Sequence, residues 1–252
     1  MKIQKKAVLK MARFILFSFV FVLLLSLCSG SILAADKLIL IGKNDPINSN
    51  DLILMERLQG MGLNVEYHSE PEAHPVDLDD AIGIYISESV TSGNIGPVYN
   101  DVELPFIMSE GGLIDEMSMG IGLNAEGVST IKIVNNNHYI TQDFALGDLE
   151  VLTEAGIMSG ATDLEGSPQI LATLADGSDW PRLFVYEKGA LMQGQRAPAR
   201  RAFVFNHQEI NPLLNDDGWT LVTRTVEWVL GAATPVEPAG SLATTWGIIK
   251  TK

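Results

Sequence analysis

Short apolar runs alternate with polar loops and one helix signal in the first half of the chain. Lys37–Gly42 is almost entirely apolar and ends in glycine, which is typical of a buried parallel strand. Apolar residues at helical spacing follow over Asp51–Met61. Asn64–His68 predicts a second strand, and the apolar runs Ala81–Ile86 and Leu104–Met108 predict a third and a fourth. This alternation predicts an α/β fold, a mostly parallel sheet flanked by helices.

The second half is richer in strand patterns, and the sequence predicts extra antiparallel strands there. A turn at Ala175–Ser178 separates two of them, and a final helix opens at Asn215 and closes at Gly231. The predicted strands are Ser129–Val134, Ile170–Leu174, Leu183–Tyr186 and Ala202–Phe205.

The first 35 residues have the three-part pattern of an export signal. A basic segment precedes the apolar run Phe14–Leu27, and Ser31–Ala35 offers small residues for cleavage. An uncleaved anchor is an alternative, but it needs about 20 apolar residues, and serines and a glycine interrupt this run. Lipid attachment at Cys28 is another alternative, although Leu27 stands where a small residue is required.

These features predict four segments in a secreted or extracytoplasmic protein. They are a signal peptide at 1–35, one α/β domain at 36–232, a linker at 233–240 and a short tail at 241–252. Because the only cysteine, Cys28, lies in the signal, the mature chain would have neither disulfides nor a thiol nucleophile.

Charge narrows the range of partners. The whole chain carries a formal charge of -14, and removal of a signal with five basic and no acidic residues takes it to -19. Such a surface repels nucleic acid and anionic lipid headgroups, so we expect neither nucleic-acid nor membrane binding after signal cleavage. We also expect no cofactor and no metal. The acidic stretch Asp77–Asp80 and the histidines of His68–His74 match no compact metal site.

Two stretches of the second half carry a family resemblance. The first, Asn137–Thr141, reads Asn-His-Tyr-Ile-Thr; the second, Arg200–His207, is a strand pattern ending in histidine, with Asp217–Trp219 and Val226–Trp228 in the helix that follows. They resemble the ThuA-like (trehalose-utilisation) branch of the class I glutamine amidotransferase-like superfamily, with tyrosine replacing a proline in the first stretch. The first half resembles the flavodoxin-like sheet of that superfamily. The resemblance covers Lys37 to Gly231 and implies this fold.

One departure from the family pattern bears on chemistry. Amidotransferases carry a cysteine in a tight turn after a strand, and ThuA-like members often have a glycine run followed by histidine. This chain has Ser109, Glu110, Gly111 and Gly112 at the corresponding place. The resemblance therefore implies the fold and not the thiol chemistry.

The predicted strand ends collect polar side chains. Ligands of open parallel sheets bind at the carboxyl ends of the strands. His207, Glu88 and Glu110 are the candidates for acid or base catalysis there, because burial can bring their pKa values toward neutrality. Each also has a structural alternative, since carboxylates often cap helix N-termini and strand-end histidines are often structural. The candidate ligand-binding residues are Asn44, Asp45, Ser87, Ser89, Ser92, Asn94, Ser109 and Asn206.

Three functions are compatible with these residues. The leading hypothesis is an exported domain without a thiol nucleophile that binds a small polar ligand such as a carbohydrate. The second is a sugar-acting hydrolase or lyase that uses His207 with Glu88 or Glu110 as acid and base. The third is a cell-surface interaction module that acts through its tail or its acidic face.

Overall fold

The computed structural model describes residues 37–70 and 76–231. The signal, linker and tail predicted from the sequence lie outside the described residues. The described helices are α1 (Ser49–Gly60), α2 (Ser92–Ile95) and α3 (Asp216–Val229), with 3-10 turns at Gly111–Leu113 and Gln208–Leu213. The strands are β1 (Lys37–Gly42), β2 (Asn64–Ser69), β3 (Ala81–Ile86), β4 (Phe106–Met108), β5 (Ile121–Val128), β6 (Thr130–Ile133), β7 (Gly147–Glu150), β8 (Gly156–Thr162), β9 (Gln169–Leu174), β10 (Pro181–Tyr186) and β11 (Arg201–Val204).

Nine of these strands form one mixed sheet in the order β2-β1-β3-β4-β11-β10-β9-β6-β7. The pairs from β2 to β11 are parallel, and the pairs from β11 to β7 are antiparallel. The chain thus has the predicted α/β architecture, with a parallel half followed by antiparallel strands. Strand order reverses at β1, which pairs with β2 on one side and with β3 on the other.

Alternate residues of the central strands build cores on the two faces of the sheet. Leu38 and Leu40 of β1 pack on one face together with the apolar sides of α1 and α3, while Ile39 and Ile41 pack on the other. That second face is covered by α2, the 3-10 turn at Gly111–Leu113 and the loops around them. Both long helices therefore share one face. None of the described helices has the length and apolarity of a membrane span.

Three strands were not predicted from the sequence. β7 is a four-residue edge strand, and β5 and β8 pair with each other as a separate two-stranded ribbon. Gly122, Gly127, Gly156 and Gly160 interrupt the apolar alternation of this ribbon, so its strands lack the usual period-two signal. At the fourth predicted strand, only Phe106–Met108 of Leu104–Met108 is extended in the sheet.

The ribbon lies against the carboxyl edge of the parallel strands. Ser159 N donates to Phe205 O at 3.1 Å, directly after β11. A Cβ atom on Gly122 would stand 1.7 Å from Gly111 O, in the turn after β4. This contact is possible only because residue 122 is glycine.

Candidate active site at the strand ends

Four neighbouring parallel strands end at the same edge of the sheet. β1, β3, β4 and β11 are adjacent in that order, and the polar residues predicted to form a site follow directly after them. The point where strand order reverses, between β1 and β3, falls within this group, as expected for a ligand site in an open parallel sheet.

Glu88 and His207 are in direct contact across this edge. Glu88 Oε1 lies 2.8 Å from His207 Nε2, and the two side chains are only 11% and 10% exposed. Glu88 Oε2 also accepts from Gln208 N at 3.2 Å. His207 Nδ1 accepts from Glu209 N at 3.2 Å, which begins the 3-10 turn after β11. An acceptor role for Nδ1 leaves the proton of the neutral ring on Nε2, where it is donated to Glu88.

Glu110 is the third titratable group of the edge, and it begins the 3-10 turn after β4. Its Oε1 accepts from Gly112 N at 2.7 Å. Burial, with a smaller contribution from nearby Glu88, raises the pKa of Glu110 to about 7 against the opposing effects of the Gly112 hydrogen bond and His207. A pKa of about 7 suits Glu110 to proton transfer near neutral pH.

Ser92 lies beside Glu110. A Cβ atom on Gly112 would be 2.6 Å from Glu110 Oε1 and 2.8 Å from Ser92 Oγ, so the hydroxyl and the carboxylate flank the same glycine. Both Glu110 and Ser92 are half-buried. They are the predicted site residues best placed to meet a ligand together.

Most of the other predicted ligand-binding residues already have partners within the protein. Ser87 and Ser89 donate to Asp51, and Ser109 Oγ lies 3.5 Å from Ile86 O. Asn94 Nδ2 donates to Glu70 at 2.8 Å. The three serines are buried, and their contacts leave them little capacity to bind a ligand directly, whereas Asn94 is exposed.

Asn206 belongs to a buried polar chain behind the Glu88–His207 pair. Its Oδ1 accepts from Tyr85 OH at 2.8 Å, and its Nδ2 donates to Asn211 Oδ1 at 3.1 Å. Asn211 in turn donates to Asn50 O at 3.1 Å, at the start of α1. Burial raises the pKa of Tyr85, which keeps the hydroxyl protonated as the donor of this chain.

Asn44 and Asp45 are exposed on the loop after β1. The backbone oxygen of Asn44 accepts from Tyr67 OH at 2.7 Å, which ties the loop to β2. Burial raises the pKa of that Tyr67 hydroxyl to about 12. Both predicted residues lie at the same edge of the sheet, with side chains open to solvent.

Three residues of this edge were missed by sequence reasoning: Asp51, Tyr85 and Asn211. Asp51 is completely buried although it stands in the first turn of α1. The Asn48-to-Asp51 spacing indicates a helix start, but nothing local indicates that Ser87 and Ser89 would converge on the same carboxylate. Such contacts depend on sheet topology and not on neighbouring sequence.

Two other histidines lie away from this group. His138 is in a turn, packs edge-on against the Trp228 ring at 5.0 Å, and has a pKa lowered by burial. His68 Nε2 lies 2.8 Å from Glu66 Oε1 on β2. His74 falls outside the described residues.

A groove of about 630 Å³ lies between α1 and α3 and not at the strand ends. Its walls include Arg57, whose guanidinium stacks over the Trp219 ring at 4.9 Å. Neither Glu88, Glu110 nor His207 lines it. Glu56, Arg57 and Glu227 also line this groove, but the candidate site is assigned to the strand ends, where Glu88 contacts His207 and Glu110 has a raised pKa.

Solved structures share this fold. A protein from Thermoplasma acidophilum that is assigned as part of a GMP synthase is similar over 79% of this chain and 95% of its own, with 10% identity and a TM-score of 0.53. A ThuA-like protein from Parabacteroides merdae is similar over 81% of this chain and 92% of its own, with 11% identity and a TM-score of 0.53. These similarities show that the chain has the flavodoxin-like fold of class I glutamine amidotransferase-like proteins. No protein-family profile and no curated protein matches the sequence.

Proposed function

We propose that this chain is an exported domain of the amidotransferase-like fold that binds a small, neutral polar ligand, a carbohydrate, at its strand ends. The observation that carries the proposal is the grouping of Glu110 and Ser92 beside the Glu88–His207 pair. Carboxyl and hydroxyl groups that face one place are suited to hydroxyl-rich ligands, because each can donate or accept a hydrogen bond.

The proposal follows the charge of the edge as well as its geometry. Glu88 and Glu110 raise the electrostatic cost of bringing an anion to this edge. The neutral His207 ring donates a hydrogen bond to Glu88 through Nε2 and adds no positive charge to offset them. A neutral ligand avoids this electrostatic cost.

A panel of neutral mono- and oligosaccharides tests the proposal on the chain from residue 36 onward. We expect binding by calorimetry, and a loss of about tenfold in affinity for Glu110→Gln, which replaces one acceptor oxygen with an amide donor, or for Ser92→Ala, which removes a hydroxyl. Glu103→Gln is the control, because Glu103 is an exposed carboxylate of the loop before β4. Absence of binding to every sugar by a folded wild-type protein would refute the proposal.

A sugar-acting hydrolase or lyase is the second candidate, and the raised pKa of Glu110 favours it. A carboxyl group with a pKa of about 7 can donate a proton to a leaving oxygen at neutral pH. With Glu110 as the acid, His207, which is in contact with Glu88, would act as the base. Turnover of aryl glycosides by the wild type, falling as pH rises above 7 and lost in Glu110→Gln, would establish it; binding without turnover would leave the first candidate.

A further inference from the structure

Asp51 is a fully buried carboxylate that contacts the residues on both sides of Glu88 without touching Glu88 itself. Its Oδ1 accepts from Ser87 Oγ at 2.5 Å, and its Oδ2 accepts from Ser89 Oγ at 2.5 Å. Asn48 Nδ2 donates to the same Oδ2 at 2.7 Å. One carboxylate thus joins the start of α1 to the loop after β3.

We infer that Asp51 is the positioning residue for Glu88. The chain turns after β3, where Val90 N donates to Ser87 O at 3.4 Å, and Glu88 stands in this turn between the two serines. Ser87 and Ser89 both reach Asp51, while Glu88 reaches His207. By accepting from both serines, Asp51 fixes the backbone of Glu88 between them. This positioning role rests on the function proposed for the edge.

Asp51 is the acceptor for the hydroxyl protons of Ser87 and Ser89, because each serine oxygen already accepts a backbone hydrogen bond. Ser87 Oγ already accepts from Ser89 N at 3.2 Å, and Ser89 Oγ accepts from Lys43 N at 3.1 Å. Each hydroxyl therefore directs its proton to Asp51, which has to accept on both oxygens. An amide at position 51 accepts on one oxygen only, so Asp51→Asn leaves one hydroxyl without its acceptor.

Close packing keeps this arrangement fixed. A Cβ atom on Gly42 would stand 2.6 Å from Asp51 Oδ2 and 2.8 Å from Tyr67 OH. The carboxylate fills the space that glycine leaves at the end of β1. The Asp51 carboxylate thus packs against the end of β1 and joins it to the start of α1 and the loop after β3.

The test measures the state of His207 directly and needs no ligand. In protein labelled with nitrogen-15 at histidine, we expect the wild-type His207 ring to give the signals of a neutral Nε2–H tautomer. In Asp51→Asn the Glu88 contact loosens, so the two ring signals move toward each other. Modification of His207 by diethyl pyrocarbonate, followed by mass spectrometry, should become about tenfold faster, the equivalent of one lost hydrogen bond.

Two controls separate positioning from a general loss of structure. Asp217→Asn makes the same change in the first turn of α3, at an exposed residue, and should leave His207 unchanged. In a Glu88→Ala background, where His207 has already lost its partner, Asp51→Asn should add nothing to the modification rate. A purely structural role would add the same increment in both backgrounds.

A wild-type tautomer and modification rate in a folded Asp51→Asn variant would overturn the inference. If that variant does not fold, Ser89→Ala removes a single donor to Asp51 and gives the same readout, with the same two outcomes. Because His207 is observed without sugar, a failure of sugar binding overturns the proposed function alone.

Discussion

Two buried arginines, Arg182 and Arg201, show how differently the same residue can be accommodated. Arg201 donates to Leu104 O at 2.6 Å and to Val102 O, and its guanidinium lies over the Phe106 ring. Arg182 is equally buried, but Nη1 has only a 3.5 Å contact to Leu123 O, and Nε and Nη2 have no partner among the described residues. Burial lowers the pKa of both to about 10.

Replacement of each arginine by methionine should therefore have opposite effects. Arg182→Met removes an uncompensated buried charge, and we expect the free energy of unfolding to stay constant or to rise by about 1 kcal/mol. Arg201→Met leaves buried carbonyl oxygens without donors and should lower it by about 3 kcal/mol. Urea unfolding of both variants provides the measurement. An equal loss in the two would mean that Arg182 has a partner, such as a bound anion.

Glu110 makes stability depend on pH, and the sign is fixed by its raised pKa. Between pH 4.5, its ordinary value, and about 7, the native state holds a proton that the unfolded chain has released. The free energy of unfolding therefore falls as pH rises through this window. Glu110→Gln removes the effect, so its stability relative to wild type should increase by about 1 to 2 kcal/mol between pH 5 and pH 8.

Chemical unfolding at the two pH values measures this difference. The pKa of Glu116 is also raised to about 7, by burial and by Asp115, but that group is present in both proteins and cancels in the comparison. The free energy of unfolding of Glu103→Gln should differ from that of the wild type by the same amount at both pH values. A constant difference for Glu110→Gln as well would show that the edge is more hydrated than its geometry indicates.

For individual residues, the sequence predicts which side chains lie at the site but not which partners they contact. Glu88, Glu110 and His207 follow apolar strands, and strand ends can be found from local pattern. That Glu88 bonds to His207, and that Asn94 bonds to Glu70, depends on distances between residues far apart in the chain. Only the packed sheet sets those distances.

Among the elements, the β5–β8 ribbon supports the turn that carries Glu110. Gly122 is the closest point of contact, since a Cβ atom there would lie 1.7 Å from Gly111 O. Gly122→Ala should push the ribbon from the turn and lower the free energy of unfolding by about 2 kcal/mol. Gly93 in α2, whose Cβ would meet nothing within 4 Å, provides the matched Gly93→Ala control, with a change of about zero or a slight gain.

Thermal or urea unfolding measures both alanine variants. A second readout is the pKa of Glu110: if the ribbon moves away, water reaches the carboxyl group and its pKa should fall toward the ordinary value. Equal stability of the two variants would mean that the ribbon can shift without affecting the turn.

The same ribbon marks the limit of element prediction from this sequence. β1, β3 and β4 were predicted because each is a short, largely apolar run, as buried parallel strands are. β5 is mostly exposed or half-buried, and β8 is built largely of small residues, so neither shows strand periodicity. Their extended conformation is stabilised by pairing with each other and by docking on the edge, which are tertiary effects.

At the scale of the whole molecule, the fold is shared with proteins that are 10% and 11% identical to this chain. Buried apolar runs and helix periodicity survive such divergence because many side chains can fill the same core. The site residues are under a different constraint, since their chemistry requires particular groups. The shared fold therefore shows the architecture of this chain. It does not show what reaction, if any, Glu110 takes part in.

Export is the remaining prediction for the whole molecule, and it sets the compartment in which any ligand would be met. In a bacterial expression host, the full chain should be released from the cytoplasm and begin at Asp36, because the basic segment and Phe14–Leu27 have the pattern of an export signal. N-terminal sequencing and the intact mass of the exported protein measure this. Leu24→Arg places a charge in the apolar run and should retain the precursor in the cell, while Thr153→Arg changes the charge equally at an exposed residue and should not. A membrane-bound product of full length would instead identify residues 1–35 as an uncleaved anchor.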